Sequence, residues 1–318
     1  MKLQTQIPLQ KRTENLMDYQ SKVVLLGSCF VENIGEKLAY FKFQSLQNPF
    51  GVLFHPKAIE TLITRAVQEK SYEESSVFFH NEQWHCYEVH SQMSNSSKNE
   101  ILTNLNTQLE ATKQWLLKAS HVVITLGTAW VYKQKSTDET VANCHKVPQL
   151  NFKKELLSVA EITESLQTII HAIKSINPTA KVVLTVSPIR HIKDGFVENT
   201  RSKSHLIAAV HALVSNEDCS GCHYFPSYEI MMDELRDYRF YAEDMLHPNA
   251  TAINYIWEKF QQVWMSDDTL ETMSEVDSIQ KGLSHRPFNP NSESHLKFLQ
   301  QLELKKDKLK AKFEHMSF

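Results

Sequence analysis

Three short runs of branched apolar residues constrain the fold of this chain more than any other feature. Continuous apolar runs of roughly 4–8 residues are typical of strands that are buried on both faces, as in a parallel sheet. Each run stops at a glycine or at a Ser-Pro pair, which breaks the extended pattern. The predicted strands are Lys22–Leu26, which ends before Gly27, His121–Leu126, which ends before Gly127, and Lys181–Val186, which ends before Ser187-Pro188.

Helical patterns lie between these strands, and we therefore predict an α/β fold, a three-layer doubly wound parallel sheet with helices on both faces. Phe41–Leu46 and His223–Phe225 are candidates for a fourth and a fifth strand. Ligands bind to such sheets at the carboxyl ends of the strands, so chemistry is expected in the loops that follow them. The predicted helices are Val31–Tyr40, Pro56–Glu69, Glu100–Ala119, Val159–Ser175, Lys203–Val214 and Ala250–Val263.

The same patterns predict a main α/β domain over residues 1–265 and a C-terminal helical extension over residues 266–318. A polar and aromatic insertion is expected at about residues 70–98. Two helices are predicted in the extension, Ser266–Lys281 and Ser292–Phe313. Five lysines from Lys305 to Lys312 make the last helix basic, and we interpret this run as a solvated helix face rather than a recognition surface.

The charge balance excludes several classes of partner. The 318 residues include 34 Lys plus Arg and 37 Asp plus Glu, for a net charge of −3, so no basic excess favours nucleic-acid binding. No apolar stretch is long enough to span a bilayer or to form a signal peptide, and we expect a cytoplasmic protein with no membrane partner. The five cysteines are an odd number in a long chain, which favours reduced thiols over a disulfide framework.

The tetrapeptide Gly27-Ser28-Cys29-Phe30, at the end of the first strand, is the strongest candidate for catalytic chemistry. A serine at a strand-to-helix turn is fixed by the sheet, and N–H groups at the start of the next helix can stabilise a nearby oxyanion. The alternative is structural, because serine is also a favourable helix N-cap. Cys29 is a rival nucleophile, but adjacent residues at a turn point in different directions, and we favour Ser28.

A second motif lies just before the last helix of the main domain, where Asp244 precedes His247 by three residues. This spacing can place the carboxylate and the imidazole in one turn, so that the acid orients a base that activates a hydroxyl nucleophile. Pro248-Asn249 starts the next helix and fixes the direction of the histidine. The alternative is an ordinary Asx turn beside a surface histidine.

Together, the two motifs resemble the SGNH/GDSL hydrolase superfamily. More narrowly, Gly27–Val31 resembles the five-residue motif that names the GSCFA family, with Val31 where the family name has alanine. The resemblance covers roughly residues 20–262. Further stretches that resemble the family are Asn48-Pro49-Phe50-Gly51, Leu126-Gly127-Thr128-Ala129-Trp130, Asn143-Cys144-His145-Lys146 and Ser187-Pro188.

The resemblance implies an SGNH-hydrolase-like fold and a catalytic triad. In this triad Ser28 is the nucleophile, His247 is the general base, and Asp244 orients the imidazole. The Ser28 N–H and the Gly51 N–H are the implied main-chain donors of the oxyanion hole.

One position departs from the superfamily pattern. Where the superfamily has an asparagine whose side chain completes the oxyanion hole, this chain has Ala129, which has no side-chain donor. The loss of one such donor lowers the rate by about 100–1000-fold. Asn143 is the substitute that we expect, because its amide can donate a hydrogen bond.

Polar and aromatic residues in the loops after the strands are assigned to a substrate pocket. Arg190, His191 and Lys193 follow the third strand, where they can bind an anionic substrate or form a solvated loop. The residues assigned to the pocket are Cys29, Asn48, His90, Thr128, Trp130 and His145.

The proposed chemistry needs no metal and no organic cofactor. The segment Cys219–His223 has the C-x-x-C-H pattern of c-type haem attachment, but that modification requires export, for which the sequence shows no signal. A zinc site at the same cysteines lacks a second spaced pair of ligands.

The sequence therefore predicts a serine hydrolase that acts on an ester, most simply an acyl or acetyl esterase of a carbohydrate or small metabolite. An acyltransferase that uses the same triad is an alternative. A binding module with weakened catalysis is another, and Ala129 favours it. The oligomeric state is not predicted.

Overall fold

Strands and helices alternate along the computed structural model, which describes residues 5–215, 219 and 221–318. The strands are β1 (Lys22–Gly27), β2 (Gln44–Gln47), β3 (Phe78–His80), β4 (Gln83–His85), β5 (His121–Leu126), β6 (Trp130–Gln134), β7 (Thr140–Val141), β8 (Phe152–Leu156), β9 (Lys181–Val186) and β10 (Cys222–Tyr224). The α-helices are α1 (Cys29–Tyr40), α2 (Pro56–Val67), α3 (Lys98–Lys118), α4 (Val159–Ile176), α5 (Phe196–Val214), α6 (Ser227–Glu229), α7 (Ala250–Trp264), α8 (Asp267–Ser284) and α9 (Glu293–Lys312), and a π-helical segment, Ile230–Leu235, follows α6.

The central sheet has five strands in the order β10-β9-β5-β1-β2, and every pair is parallel. Each of its faces is covered by helices, so the predicted doubly wound α/β fold is confirmed. The chain runs from β1 outward to β2 and then returns to β5 on the other side of β1. The strand order therefore reverses between β1 and β5, and the crevice at this reversal is where open α/β sheets bind their ligands.

Side chains of the central strands alternate between two apolar cores. Val24 and Leu26 pack with α2, α3, α4 and α5 on one face of the sheet. Val23 and Leu25 pack with α1 and α7 on the other face. Burial on both faces explains why the strands appear in the sequence as continuous apolar runs.

The C-terminal helices do not form a separate core. Val276 on α8, and Leu302 and Leu309 on α9, belong to the same buried cluster as α1 and α7. The extension therefore completes one outer layer of the α/β unit.

A three-stranded antiparallel sheet, in the order β7-β6-β8, covers residues that the sequence left without secondary structure. A short antiparallel hairpin pairs β3 with β4. Both features lie in the long connections of the sheet, and the antiparallel sheet begins four residues after β5. It therefore lies close to the carboxyl edge of the central sheet.

The expectation of reduced thiols is wrong for one pair of cysteines. Cys219 and Cys222 form a disulfide at the start of β10, whereas Cys29, Cys86 and Cys144 are free. The bond closes a loop of only a few residues, so it does not act as a framework for the fold. Among the described helices, none has the length and apolarity needed to cross a membrane.

Candidate active site

The turn from β1 into α1 places Ser28 in the crevice between β1 and β5. The Ser28 N–H donates to the Thr125 carbonyl at 2.9 Å, which extends the pairing of the two strands. Gly27 has a φ of +131°, and a Cβ at this position would lie 2.1 Å from the Thr125 oxygen. Only glycine fits so close to the neighbouring strand, and the serine that follows it is consequently held rigidly.

The hydroxyl of Ser28 is fully buried and has no hydrogen-bond partner among the described residues. Ser28 occupies the N-cap position of α1, but its side chain makes no capping hydrogen bond. The structural explanation, that this serine is present as a cap, is therefore not supported. An unsatisfied buried hydroxyl costs about 1–3 kcal/mol, so its presence calls for another explanation.

Asp244 and His247 lie in one turn, as the sequence predicted. The His247 Nδ1 is 2.5 Å from one carboxylate oxygen of Asp244. The other carboxylate oxygen accepts hydrogen bonds from the main-chain N–H groups of Leu246 and His247. These main-chain bonds, followed by the bond from the His247 ring, lower the pKa of Asp244 to about 2. Asp244 is therefore a carboxylate at neutral pH and fixes the orientation of the His247 ring.

Lys203 lies under the same crevice, on the buried face of α5. Its Nζ donates to the carbonyl oxygens of Gly127 and Ser187, each at 2.7 Å. These carbonyls belong to the loops after β5 and β9, so one ammonium group joins the two loops. Burial lowers the pKa of Lys203 to about 7.

His191, in the loop after β9, lies beside Ser28. A Cβ on Gly127 would be 3.1 Å from the Ser28 Cβ and 3.2 Å from the His191 Nε2, so both side chains face the same small space. This Nε2 is buried and has no partner among the described residues. Burial, together with the charges of Lys203 and His247, lowers the pKa of His191 to about 3.

A cleft of about 660 Å³ opens on the outer side of His191. Thr128, Trp130 and Asn143, three residues that the sequence assigns to the site, line it. The Thr128 hydroxyl is 3.1 Å from the Ser202 hydroxyl, and the Trp130 indole N–H donates to the Glu198 carbonyl, so α5 holds this wall in place. His191 and Phe54 line the cleft and also approach Gly127 beside Ser28, whereas Ser28, Asp244 and His247 are not among the lining residues.

The two expected main-chain donors are both hydrogen-bonded in this structure. The Ser28 N–H donates to Thr125, and the Gly51 N–H donates to the Asn48 carbonyl at 2.8 Å. By contrast, the side-chain nitrogen of Asn48 is buried without a partner among the described residues, while its oxygen accepts the Gly27 N–H. Asn48 therefore lies directly against the turn that carries Ser28.

Three other residues were assigned to the substrate pocket, namely Cys29, His145 and His90, and each lies in different surroundings. Cys29 is half-buried, and burial followed by the charge of Glu32 raises the pKa of its thiol, which disfavours the thiolate that a cysteine nucleophile needs. The His145 ring lies 2.7 Å from the Cys86 carbonyl and 4.8 Å from the ring of His85 beside the β3–β4 hairpin. His90 lies in the same region, and its Nδ1 accepts the N–H of Gln92.

Sequence reasoning did not identify Lys203 as part of the site. One signal was available, because Lys203 precedes Leu206 by three residues and Val210 by seven, which places it on the apolar stripe of a helix. A lysine on such a stripe is buried or paired. His191 was considered only as a residue that binds an anion or belongs to a solvated loop, since nothing in the sequence shows that its loop folds over Gly127.

No group of histidine, cysteine and carboxylate side chains suited to a metal ion occurs among the residues that the structure describes. In the β3–β4 region, the His85 ring bonds to the Ser94 hydroxyl and the His80 carbonyl, whereas the His80 Nε2 is buried without a partner among the described residues.

A family model described as the GSCFA family matches residues 22–260. A second model, described as GSCFA domain protein, C-terminal domain, matches residues 276–318. No curated protein matches the sequence.

Three solved structures are similar to the chain at low identity. A carbohydrate esterase family 3 protein from Talaromyces cellulolyticus is 10% identical, with a TM-score of 0.36 and coverage of 81% of this chain and 99% of that chain. An acetyl xylan esterase from the rumen bacterium Butyrivibrio proteoclasticus is 10% identical, with a TM-score of 0.42 and coverage of 85% and 66%, respectively. An acetyl esterase mutant with an acetate ion is 11% identical, with a TM-score of 0.36 and coverage of 80% and 99%. Similarity at this level carries no information about the substrate.

Proposed function

The chain belongs to the GSCFA family, as its motifs predicted, and we propose that it is a serine esterase. The proposed substrate is an acyl or acetyl ester of a carbohydrate or small metabolite. Ser28 is the proposed nucleophile, His247 the general base, and Asp244 the residue that orients it. The proposal includes no metal and no organic cofactor.

The main support is the placement of Ser28, which stands at the N-cap position of α1 directly after β1 although its side chain does not cap the helix. It lies at the strand-order reversal of the sheet, where ligands bind to folds of this type. The Asp244–His247 pair provides an oriented imidazole. A nucleophile, a base and an orienting acid are the three parts that acyl transfer requires.

In the proposed reaction, the Ser28 Oγ attacks the carbonyl carbon of the ester while His247 accepts the hydroxyl proton. The new O–C bond forms, and the carbonyl electron pair moves to the oxygen, which becomes the oxyanion. The intermediate collapses when the bond to the alcohol breaks, and His247 returns the proton to that alcohol. Water then attacks the acyl-serine in the same way and releases the acid. If a sugar hydroxyl replaces water in this last step, the same triad performs acyl transfer.

The oxyanion donors are the least complete part of the site. The Ser28 and Gly51 N–H groups can serve only after their present hydrogen bonds open. Asn143 remains a proposed donor because it lines the cleft next to Thr128, and its Oδ1 is held by the His145 N–H.

A catalytically weakened binding module is the second candidate. It is favoured by one observation, namely that the Ser28 hydroxyl makes no hydrogen bond to His247 or to any other described residue. In that case the cleft beside His191 binds a small molecule without turning it over.

Labelling with a fluorophosphonate probe distinguishes the two candidates, because the probe phosphonylates only an activated serine. The comparison needs the wild type and the variants Ser28→Ala, His247→Ala and Cys29→Ala. We expect labelling that survives in Cys29→Ala and is lost in Ser28→Ala and His247→Ala.

Labelling that persists in Ser28→Ala would disprove the assignment of the nucleophile. A folded wild type that is not labelled, even by a probe with a small alkyl group that fits the cleft, would favour the binding module. A screen of acetylated sugars and short-chain esters, with Ser28→Ala as the blank, then identifies the ester.

A further inference from the structure

The site lacks a side-chain donor at the position where the superfamily has an asparagine. Ala129 is fully buried, and its N–H donates to the Ser202 hydroxyl at 2.7 Å, so its main chain is also committed. The adjacent Thr128 hydroxyl accepts the N–H of Trp130. The Ala129 N–H and the Thr128 hydroxyl are therefore used in holding the loop after β5 against α5. The side-chain donor to the oxyanion must come from another element.

His191 reaches the same space from the loop after the next strand. Its Nε2 and the Ser28 Cβ lie 3.2 and 3.1 Å, respectively, from the point that a Gly127 Cβ would occupy. A larger residue than Gly127 would fill this point and separate the two groups. His191 also lines the cleft, so this residue borders both the cleft and the space beside Ser28.

Several contacts hold the loop of His191. Its main-chain N–H donates to the Asn199 side chain at 2.9 Å, and its ring packs edge-on against Phe54 at 5.4 Å. Lys203 joins Ser187, four residues before His191, to Gly127. The imidazole is therefore positioned before any substrate binds, as a preorganised donor must be.

We propose that His191, through its Nε2–H, donates one of the hydrogen bonds that hold the oxyanion formed when Ser28 attacks an ester. This inference rests on the proposed esterase function and adds a catalytic residue to it. His191 joins the proposed donor Asn143 in taking the place of the donor that is absent at Ala129, while His247 keeps the role of base.

The surroundings of the ring match this role better than that of a second base. A general base needs a pKa near the working pH, whereas burial and the neighbouring charges lower the pKa of His191 to about 3. The ring is consequently neutral at pH 7, and a neutral imidazole with its proton on Nε2 donates from that nitrogen.

The test compares His191→Leu, which removes the donor at similar size, with His191→Asn, which retains a side-chain N–H. His211→Ala is the matched control, because His211 is an exposed histidine on α5. Two quantities are measured for each variant, the second-order rate constant of fluorophosphonate labelling and the pH profile of p-nitrophenyl acetate hydrolysis. Thermal melting confirms that each variant is folded.

We expect His191→Leu to slow both reactions by about 100–1000-fold, the usual effect of losing one oxyanion donor. The loss should appear in kcat rather than in KM, because the oxyanion exists only after attack. His191→Asn should recover most of the rate, and the acid limb of the pH profile should keep its position in both variants. His211→Ala should behave as the wild type.

Other outcomes overturn the inference in distinguishable ways. If Ser28→Ala abolishes turnover and His191→Leu does not change it, His191 is not a donor, and the esterase proposal stands. A shifted or missing acid limb in His191→Leu would identify His191 as a base, and a faster Leu variant would identify it as a barrier to the cleft. If turnover does not depend on Ser28, the esterase proposal and this inference both fail.

Discussion

Replacement of Ser28 by alanine should stabilise the protein, although it removes the proposed nucleophile. The hydroxyl is 0% exposed and has no partner among the described residues, so the folded state loses the hydrogen bonds that water provides in the unfolded chain. An unsatisfied buried group of this kind costs about 1–3 kcal/mol. Alanine removes it without a capping penalty, because the Ser28 side chain makes no capping bond.

The expected increase in the free energy of unfolding is therefore about 1 kcal/mol or more. For a chain of this size, 1 kcal/mol corresponds to a rise in Tm of roughly 2 °C. Urea denaturation and thermal melting, both followed by circular dichroism, measure the change. The m-value should stay constant, which shows that the native state rather than the unfolded chain has changed.

Ser158→Ala is the matched control, because the same substitution is expected to have the opposite sign there. Ser158 caps α4, and its hydroxyl accepts the N–H of Glu161 in a reciprocal capping box. Its loss should destabilise the protein by about 0.5–2 kcal/mol. If Ser28→Ala lowers the Tm as Ser158→Ala does, the Ser28 hydroxyl has a partner, and the reasoning from its unsatisfied state is refuted.

Three further predictions concern residues around the crevice. Lys203 has a pKa of about 7 in the folded protein, below its unfolded value of about 10.4. Between these two values the unfolded chain binds more protons than the folded protein. The free energy of unfolding should therefore rise with pH from about 7 to 10, by at most about 1.4 kcal/mol per pH unit. Melting curves from pH 6.5 to 9.5 should show this rise in the wild type and not in Lys203→Met; parallel curves would contradict it. Gly27→Ala should prevent stable folding or lower the Tm strongly, because its Cβ would lie 2.1 Å from the Thr125 oxygen; a Tm close to that of the wild type would show that the turn can move. Asp244→Asn should lower kcat by about 10⁴-fold with little change in Tm, since the amide no longer selects the productive tautomer of His247, and a rate within tenfold of the wild type would argue against the triad.

The central strands could be predicted from the sequence because burial on both faces makes them continuous apolar runs. The predicted strand Phe41–Leu46 was displaced, since β2 covers Gln44–Gln47 instead. Lys42, which has a φ of +64°, forms the turn after α1, and Phe43 points into the core before the pairing with β1 begins. A run of apolar residues does not show where such a turn ends.

The antiparallel sheet could not be predicted, because charged residues obscure its alternation. Lys133 on β6 and Lys153 on β8 both pair with Glu155, so the strands are held partly by ion pairs on their exposed face. Local sequence gives no sign of the ion pair that joins the two strands, because Lys133 and Glu155 lie 22 residues apart. The segment therefore appeared as a polar loop.

The residues of the candidate site likewise fall into those that the sequence could predict and those that it could not. Asp244 and His247 could be predicted because both lie in one turn, where sequence spacing fixes the distance. Lys203 and His191 join the site from separate loops and helices, and their meeting at Gly127 depends on how α5 packs under the sheet. Contacts of this kind are tertiary, and no local motif encodes them.

The packing of the outer layer sets the order in which the chain can finish folding during synthesis. The main chains of Met17 and Met265 pair in an isolated parallel β-bridge, and the ring centroids of Tyr19 and Phe313 are 4.9 Å apart. Leu309 belongs to the same buried cluster as these methionines and Tyr19. A nascent chain that has already exposed Ser28 and His247 outside the ribosome still lacks the helices that cover this layer. It therefore displays the apolar face of α1 and α7 until α8 and α9 emerge, and exposed apolar surface of this kind is prone to aggregation.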